Sequence, residues 1–122
     1  MKDLINEVVE WNKIAWNLEN PFNEQLEVAM LSEEFAETII AIKEEDIIEQ
    51  IDWIIDTFIV GIWTLAKQWI TAEEINNCFE EIIRSNNSKF VDWKAIKKNW
   101  KIKKPESFSE ANLELIIYKW KE

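Results

Sequence analysis

A chain of 122 residues with one glycine, Gly61, and two prolines, Pro21 and Pro105, lacks the residues from which tight β-turns are made. A sheet of several strands needs such a turn at almost every reversal. Long helices joined by short polar loops do not, and the apolar spacing agrees with them. Leu4, Ile5, Val8, Val9, Trp11, Ala15 and Trp16 recur at steps of three and four, which predicts a helix over about 3–16. Asn23, with Pro21 just upstream, is placed to cap a second helix over 24–43. After the charged turn KEED, Asp46 caps a third over 47–69, and Gly61 inside it predicts a close helix contact. The capping box TAEE, Thr71 to Glu74, opens a fourth helix through about Arg84, with Ile75, Phe79, Ile82 and Ile83 as its stripe. The pattern then lapses into a polar, basic stretch that reads as a long functional loop containing at most a short helical turn. Ser109 is placed to cap a last helix with Leu113, Ile116, Ile117 and Trp120. The expected fold is all-α: a four-helix bundle-like core with an additional C-terminal loop and helix, in one domain spanning residues 1–122.

The chain has no histidine and one cysteine, Cys78, which excludes a histidine base, a Cys/His zinc site and an internal disulfide. Its excess is carboxylate: 24 Asp and Glu against 14 Lys and Arg, a formal charge of −10. That balance opposes binding to nucleic acid or an anionic membrane. Seven of the fourteen bases nevertheless lie between Lys89 and Lys104. The start MKDLINEVVEW is no signal peptide, and the most apolar stretch, Ile54 to Ala66, is shorter than the roughly 20 residues a bilayer requires. A cytoplasmic protein is the expectation.

Acids stand where a bundle helix should be apolar. On the second helix Glu34 and Glu37 share a face with Met30 and Ala41; on the third, Glu49, Asp52 and Asp56 share a face that continues into Ile59 and Trp63. A four-residue turn makes these helices antiparallel neighbours, so Glu37 comes level with Glu49 or Asp52, and Glu34 with Asp52 or Asp56. Like charges brought together oppose each other's ionisation, and a divalent cation resolves the conflict. Ligands that are all oxygen select Mg²⁺, with Mn²⁺ as a substitute. Blander readings stand beside this one. Glu49 can merely complete a capping box with Asp46, Glu34 and Glu37 can be a solvated face, and Glu33 an outer acid. Asp52 and Asp56, on an otherwise apolar helix, fit the bland reading worst.

The spacing of these acids resembles the MazG-like all-α nucleoside triphosphate pyrophosphohydrolases, the superfamily that includes dimeric dUTPases, dCTP pyrophosphatases and phosphoribosyl-ATP pyrophosphohydrolase. Their EExxE and ExxD motifs read here as EEFAE, Glu33 to Glu37, and EQID, Glu49 to Asp52, with eleven residues between. RSNNSKF, Arg84 to Phe90, and WKIKKPESFSEANLELI, Trp100 to Ile116, are similar to the SNxSK and GKxxKP segments of short phage-like members. The resemblance implies Mg²⁺-dependent cleavage of a nucleoside triphosphate into monophosphate and pyrophosphate. It also implies a homodimer or homotetramer in which the C-terminal loop can complete a neighbour's site. Position by position it makes Glu34, Glu37, Glu49 and Asp52 metal ligands, with Glu34 or Glu37 helping to activate the attacking water. Asn86 and Lys89 become substrate contacts, and Lys101 and Lys104 phosphate-binding candidates. Asp56 is left as an outer ligand, a lysine partner or a sugar contact. Phe22, Trp16 and Trp53 are candidates for stacking on the base, against core packing as the plainer role. The alternative from another class is a non-catalytic acidic helical bundle that binds a basic protein.

Overall fold

The computed structural model describes residues 3–16 and 22–117. It is all-α in character: α1 spans Leu4–Trp16, α2 Glu24–Lys43, α3 Ile47–Ala66, α4 Ala72–Asn87 and α5 Glu114–Ile117, with a two-stranded β1–β2 hairpin at Lys97–Lys98 and Lys101–Ile102. Two compact units make up the chain, residues 1–72 and 73–122. The side chain of Trp16, and Trp120 of the expected last helix, lie outside the described residues.

In the first unit α3 is the central element, packed extensively against α2 and also against α1. Asn23 accepts from the Leu26 amide at 3.1 Å and Asp46 from the Glu49 amide at 3.1 Å, so both predicted caps form. Two contacts set how α2 and α3 lie against each other. The Gln50 side chain donates to the Ala41 carbonyl at 3.4 Å, and Thr64 Oγ1 to Glu27 Oε2 at 3.2 Å. Carrying that register inward puts Glu34 level with Thr57, next to Asp56, and Glu37 level with Ile54.

A chain with one glycine has to end its helices without it. After α2, the Asp46 amide bonds to Ala41 O and the Glu45 amide to Ile42 O; after α3, Ile70 bonds to Leu65 O and Trp69 to Ala66 O. Both are Schellman closures, which need a left-handed residue just past the helix. Glu45 at φ 58° and Trp69 at φ 69° fill those positions, while Gly61 sits inside α3 with no positive φ. Replacing Glu45 by glycine removes the Cβ strain, offset in part by unfolded-chain entropy, and should stabilise the protein by about 0.5 kcal/mol in urea titration. Any loss of stability there would contradict this account.

Gly61 does not mark a close contact among the described residues, because a Cβ built there meets none of them within 4 Å. It interrupts a stripe of exposed apolar residues on α3: Ile47, Ile51, Ile54, Phe58 and Leu65. Val28, Phe35, Ile39 and Ile42 form a second exposed stripe on α2. Helix geometry places both on the edge of the α2–α3 pair away from Glu34 and Asp56.

The second unit holds α4 and the basic stretch, which is more ordered than its sequence suggested. Lys98 pairs with Lys101 across the hairpin, and Asn99 takes the left-handed φ of 60° at its turn. Ser109 does not cap α5. Its amide donates to Ser88 Oγ at 2.9 Å, while Asn112 accepts from the Leu115 amide and α5 begins at Glu114. Arg84 pairs with Glu81 and donates to the Glu110 carbonyl at 3.1 Å, fastening this segment to α4. No helix among the described residues is long and apolar enough to cross a membrane.

Candidate active site

The acids gather on one edge of the α2–α3 pair. Burial raises the Glu34 carboxyl above its ordinary range, and the charges of Asp56, Glu37, Glu33 and Asp52 raise it further. Glu37 is raised by burial, by the charge of Glu33, by a hydrogen bond with Glu33, and by Asp56. Asp56 is therefore a member of the cluster, close to Glu34. Glu49 sits differently. Its side chain is exposed and its amide is held by Asp46 at the start of α3, the geometry of the capping reading. Asp52 is exposed on the same edge and faces Glu34.

Among the described residues no three carboxylates are already drawn close enough to hold an ion. One oxygen of each central acid nonetheless argues for a cation. Glu34 Oε2 and Glu37 Oε2 are both buried, and neither has a hydrogen-bond partner among the described residues. A sealed, unpartnered carboxylate oxygen is costly unless it takes up a proton or a positive ion. The donor set is entirely oxygen, so it fits a hard divalent ion such as Mg²⁺ or Mn²⁺.

Beside the acids, toward α1, lies a cavity of about 410 Å³ lined by Leu4, Glu7, Trp11, Phe58, Ile59 and Trp63, among others. The rings of Trp11 and Trp63 stack at 4.8 Å with 11° between their planes, and Trp63 Nε1 is buried without a partner among the described residues. Trp63 follows Asp56 by seven residues on the same face of α3, about 10 Å along the axis. Of the aromatics that the sequence offered for base stacking, Trp53 is half-buried on the side of α3 facing α2, and Phe22 is exposed ahead of α2. The Trp11–Trp63 pair was not singled out, although the spacing Asp52, Asp56, Ile59, Trp63 already placed one of its rings beside the acids.

In the second unit Phe108 gathers two of the candidate lysines. Lys89 Nζ lies 6.0 Å and Lys104 Nζ 4.8 Å from the centre of its ring. Lys101 is apart from them, over the ring of Trp100 at 4.9 Å on the hairpin. Asn86 is exposed in the last turn of α4.

Neither a curated protein nor a solved structure matches the chain. The profile of the phosphoribosyl-ATP pyrophosphohydrolase family does, over residues 2–86, which takes in α1 to α4 and both acidic motifs and stops short of Lys89. Well over half of the chain is matched, and the chain belongs to the phosphoribosyl-ATP pyrophosphohydrolase family, within the MazG-like all-α pyrophosphohydrolases.

Proposed function

We propose that the protein hydrolyses a nucleoside triphosphate, ribo or deoxy, to the monophosphate and pyrophosphate, with a divalent cation held between α2 and α3. The two sealed, unpartnered oxygens of Glu34 and Glu37 carry this reading, because they are the atoms a cation would satisfy. Glu34, Glu37 and Asp52 would hold the ion with Asp56 beside them, and Glu49 would join by turning its exposed side chain toward them. When bound, the ion supplies charge to offset the triphosphate and lowers the pKa of a coordinated water. Glu34 and Glu37, whose carboxyls are raised and so closer to neutral pH than ordinary acids, are suited to take the proton from the attacking water. Lys89 and Lys104, held on one ring, offer paired positive charge to phosphate oxygens, with Asn86 and Lys101 as further contacts. The apolar cavity at Trp11 and Trp63, on the face of α3 that also carries Asp56, suits the nucleobase.

Incubation of the protein with Mg²⁺ and a panel of NTPs and dNTPs should release monophosphate and pyrophosphate from at least one of them. Trp63→Ala should raise KM for that nucleotide roughly tenfold while leaving kcat within a few-fold, the pattern of a lost binding contact. Release of orthophosphate alone, or folded protein inert toward the whole panel, would sink the reading. Inertness together with a melting temperature unmoved by Mg²⁺ would favour the non-catalytic acidic bundle instead.

The same reading includes a homodimer. Its support is the pair of exposed apolar stripes on α2 and α3, with open space at Gly61 where a second helix could approach closely. Sedimentation equilibrium at micromolar concentration should return at least twice the chain mass of 14.6 kDa, and Phe58→Glu should return the monomer.

A further inference from the structure

Two turns from Glu34, on the same face of α2, Glu27 forms a buried ion pair with Lys67. The ammonium lies 2.8 Å from Glu27 Oε1, and the two side chains are 3% and 2% exposed, Glu27 and Lys67 respectively. Thr64 Oγ1 shares its proton between Glu27 Oε2 at 3.2 Å and the Val60 carbonyl at 3.1 Å. Antiparallel packing explains why the charges sit here. Glu27 lies in the first turn of α2 and Lys67 caps the last turn of α3, so each stands where its own helix dipole favours its sign.

A buried ion pair contributes little net stability, since apolar residues of the same volume serve as well or better. What it does provide is a contact satisfied in one arrangement only. If α3 slid by a turn, about 5.4 Å, Glu27 would face the aliphatic side chain of Val60. Two forces act across this helix pair. At the connected end, the short turn and the Gln50–Ala41 bond tie α2 to α3. In the middle, the register set by these contacts brings Glu34 and Glu37 of α2 alongside Asp52 and Asp56 of α3, and with no cation among them like charges repel. The open end must oppose that repulsion.

We propose that Glu27 and Lys67 form a clasp at the open end of the α2–α3 hairpin, a positioning device that holds the acidic faces at their spacing before any cation arrives. Its consequence for catalysis rests on the function proposed above. The clasp itself rests on the buried pair and on the like charges it holds together.

Three variants in the full chain test it: the apolar pair Glu27→Met with Lys67→Met, the charge-preserving Lys67→Arg, and the exchange Glu27→Lys with Lys67→Glu. Nitroxide labels on cysteines at Glu24 and Gln68, both exposed, in a Cys78→Ser background read the opening of the hairpin without reference to activity. Calorimetric Mn²⁺ titration reads preorganisation, and kcat and KM read the reaction. The apolar pair should melt within a few degrees of the wild type or above it. Its label distances should nevertheless lengthen or broaden by several ångströms, its Mn²⁺ affinity should fall roughly tenfold, and kcat should fall more than KM rises. Lys67→Arg should retain the wild-type distances and affinity, and the exchanged pair should recover most of both. An apolar pair with unchanged distances and Mn²⁺ affinity would overturn the clasp. A wild type inert toward every nucleotide would overturn the proposed reaction instead, while the label distances still decide the clasp.

Discussion

Glu34→Gln should reduce pyrophosphate release at least 100-fold and, measured without divalent cation at pH 7, should melt above the wild type. The first effect follows from removing a charged oxygen ligand and a proton acceptor together, each worth factors of this size. The second follows from linkage. Burial and the neighbouring charges of Asp56, Glu37, Glu33 and Asp52 hold the folded carboxyl above its unfolded value of 4.5. The folded state therefore binds this proton more tightly than the unfolded chain does. Any stability so gained is fully present below pH 4.5 and is lost as pH rises through the raised folded value. At neutral pH the ionised Glu34 is a liability that glutamine removes, so the melting temperatures of variant and wild type should converge toward pH 4. Saturating Mg²⁺ should reverse the order, because the cation stabilises the wild type by mass action and has lost a ligand in the variant. A Glu34→Gln protein that melts below the wild type at pH 7 without metal, with its circular dichroism intact, would show that the cluster is not under repulsion.

Helix identity was legible because the chain uses so few turn residues, and the starts of α2 and α3 were legible because Asn23 and Asp46 announce themselves as caps. Helix ends were harder. Trp69 reads as one more apolar residue of α3, yet it sits past the end in a left-handed position that a sequence richer in glycine would have given to glycine. The hairpin at 97–102 escaped notice because Lys-Lys-Asn-Trp-Lys carries neither alternation nor glycine, and two-residue strands leave no periodic trace. For the site, the periodicity of α2 and α3 sufficed to put the acids on one edge. It did not suffice to choose among levels about one turn apart. That choice was made by Gln50 on the Ala41 carbonyl and by Thr64 on Glu27, which bring Asp56 rather than Asp52 nearest the level of Glu34 and Asp52 rather than Glu49 nearer the level of Glu37. The Glu27–Lys67 pair was invisible for a related reason. A glutamate in a first helical turn and a lysine at a helix end are the residues expected at exposed positions, and only the packed pair reveals that both are sealed.

Lys67→Met alone should be the most destabilising single substitution in the α2–α3 pair, by about 3–5 kcal/mol. At this chain length that corresponds to a fall in melting temperature of roughly 10–20 °C. The reason is asymmetric. Methionine fills nearly the same volume as lysine, so no large cavity forms, but the Glu27 carboxylate stays buried beside Thr64 with its countercharge gone. The cost is that of leaving a carboxylate in an apolar setting with nothing to offset its lost hydration. Adding Glu27→Met to the same chain should recover most of the lost stability, since the second substitution removes the stranded charge. A deficit that is small at neutral pH, or one that Glu27→Met deepens, would mean that the pair is hydrated in solution and that its burial does not govern the packing of α2 on α3.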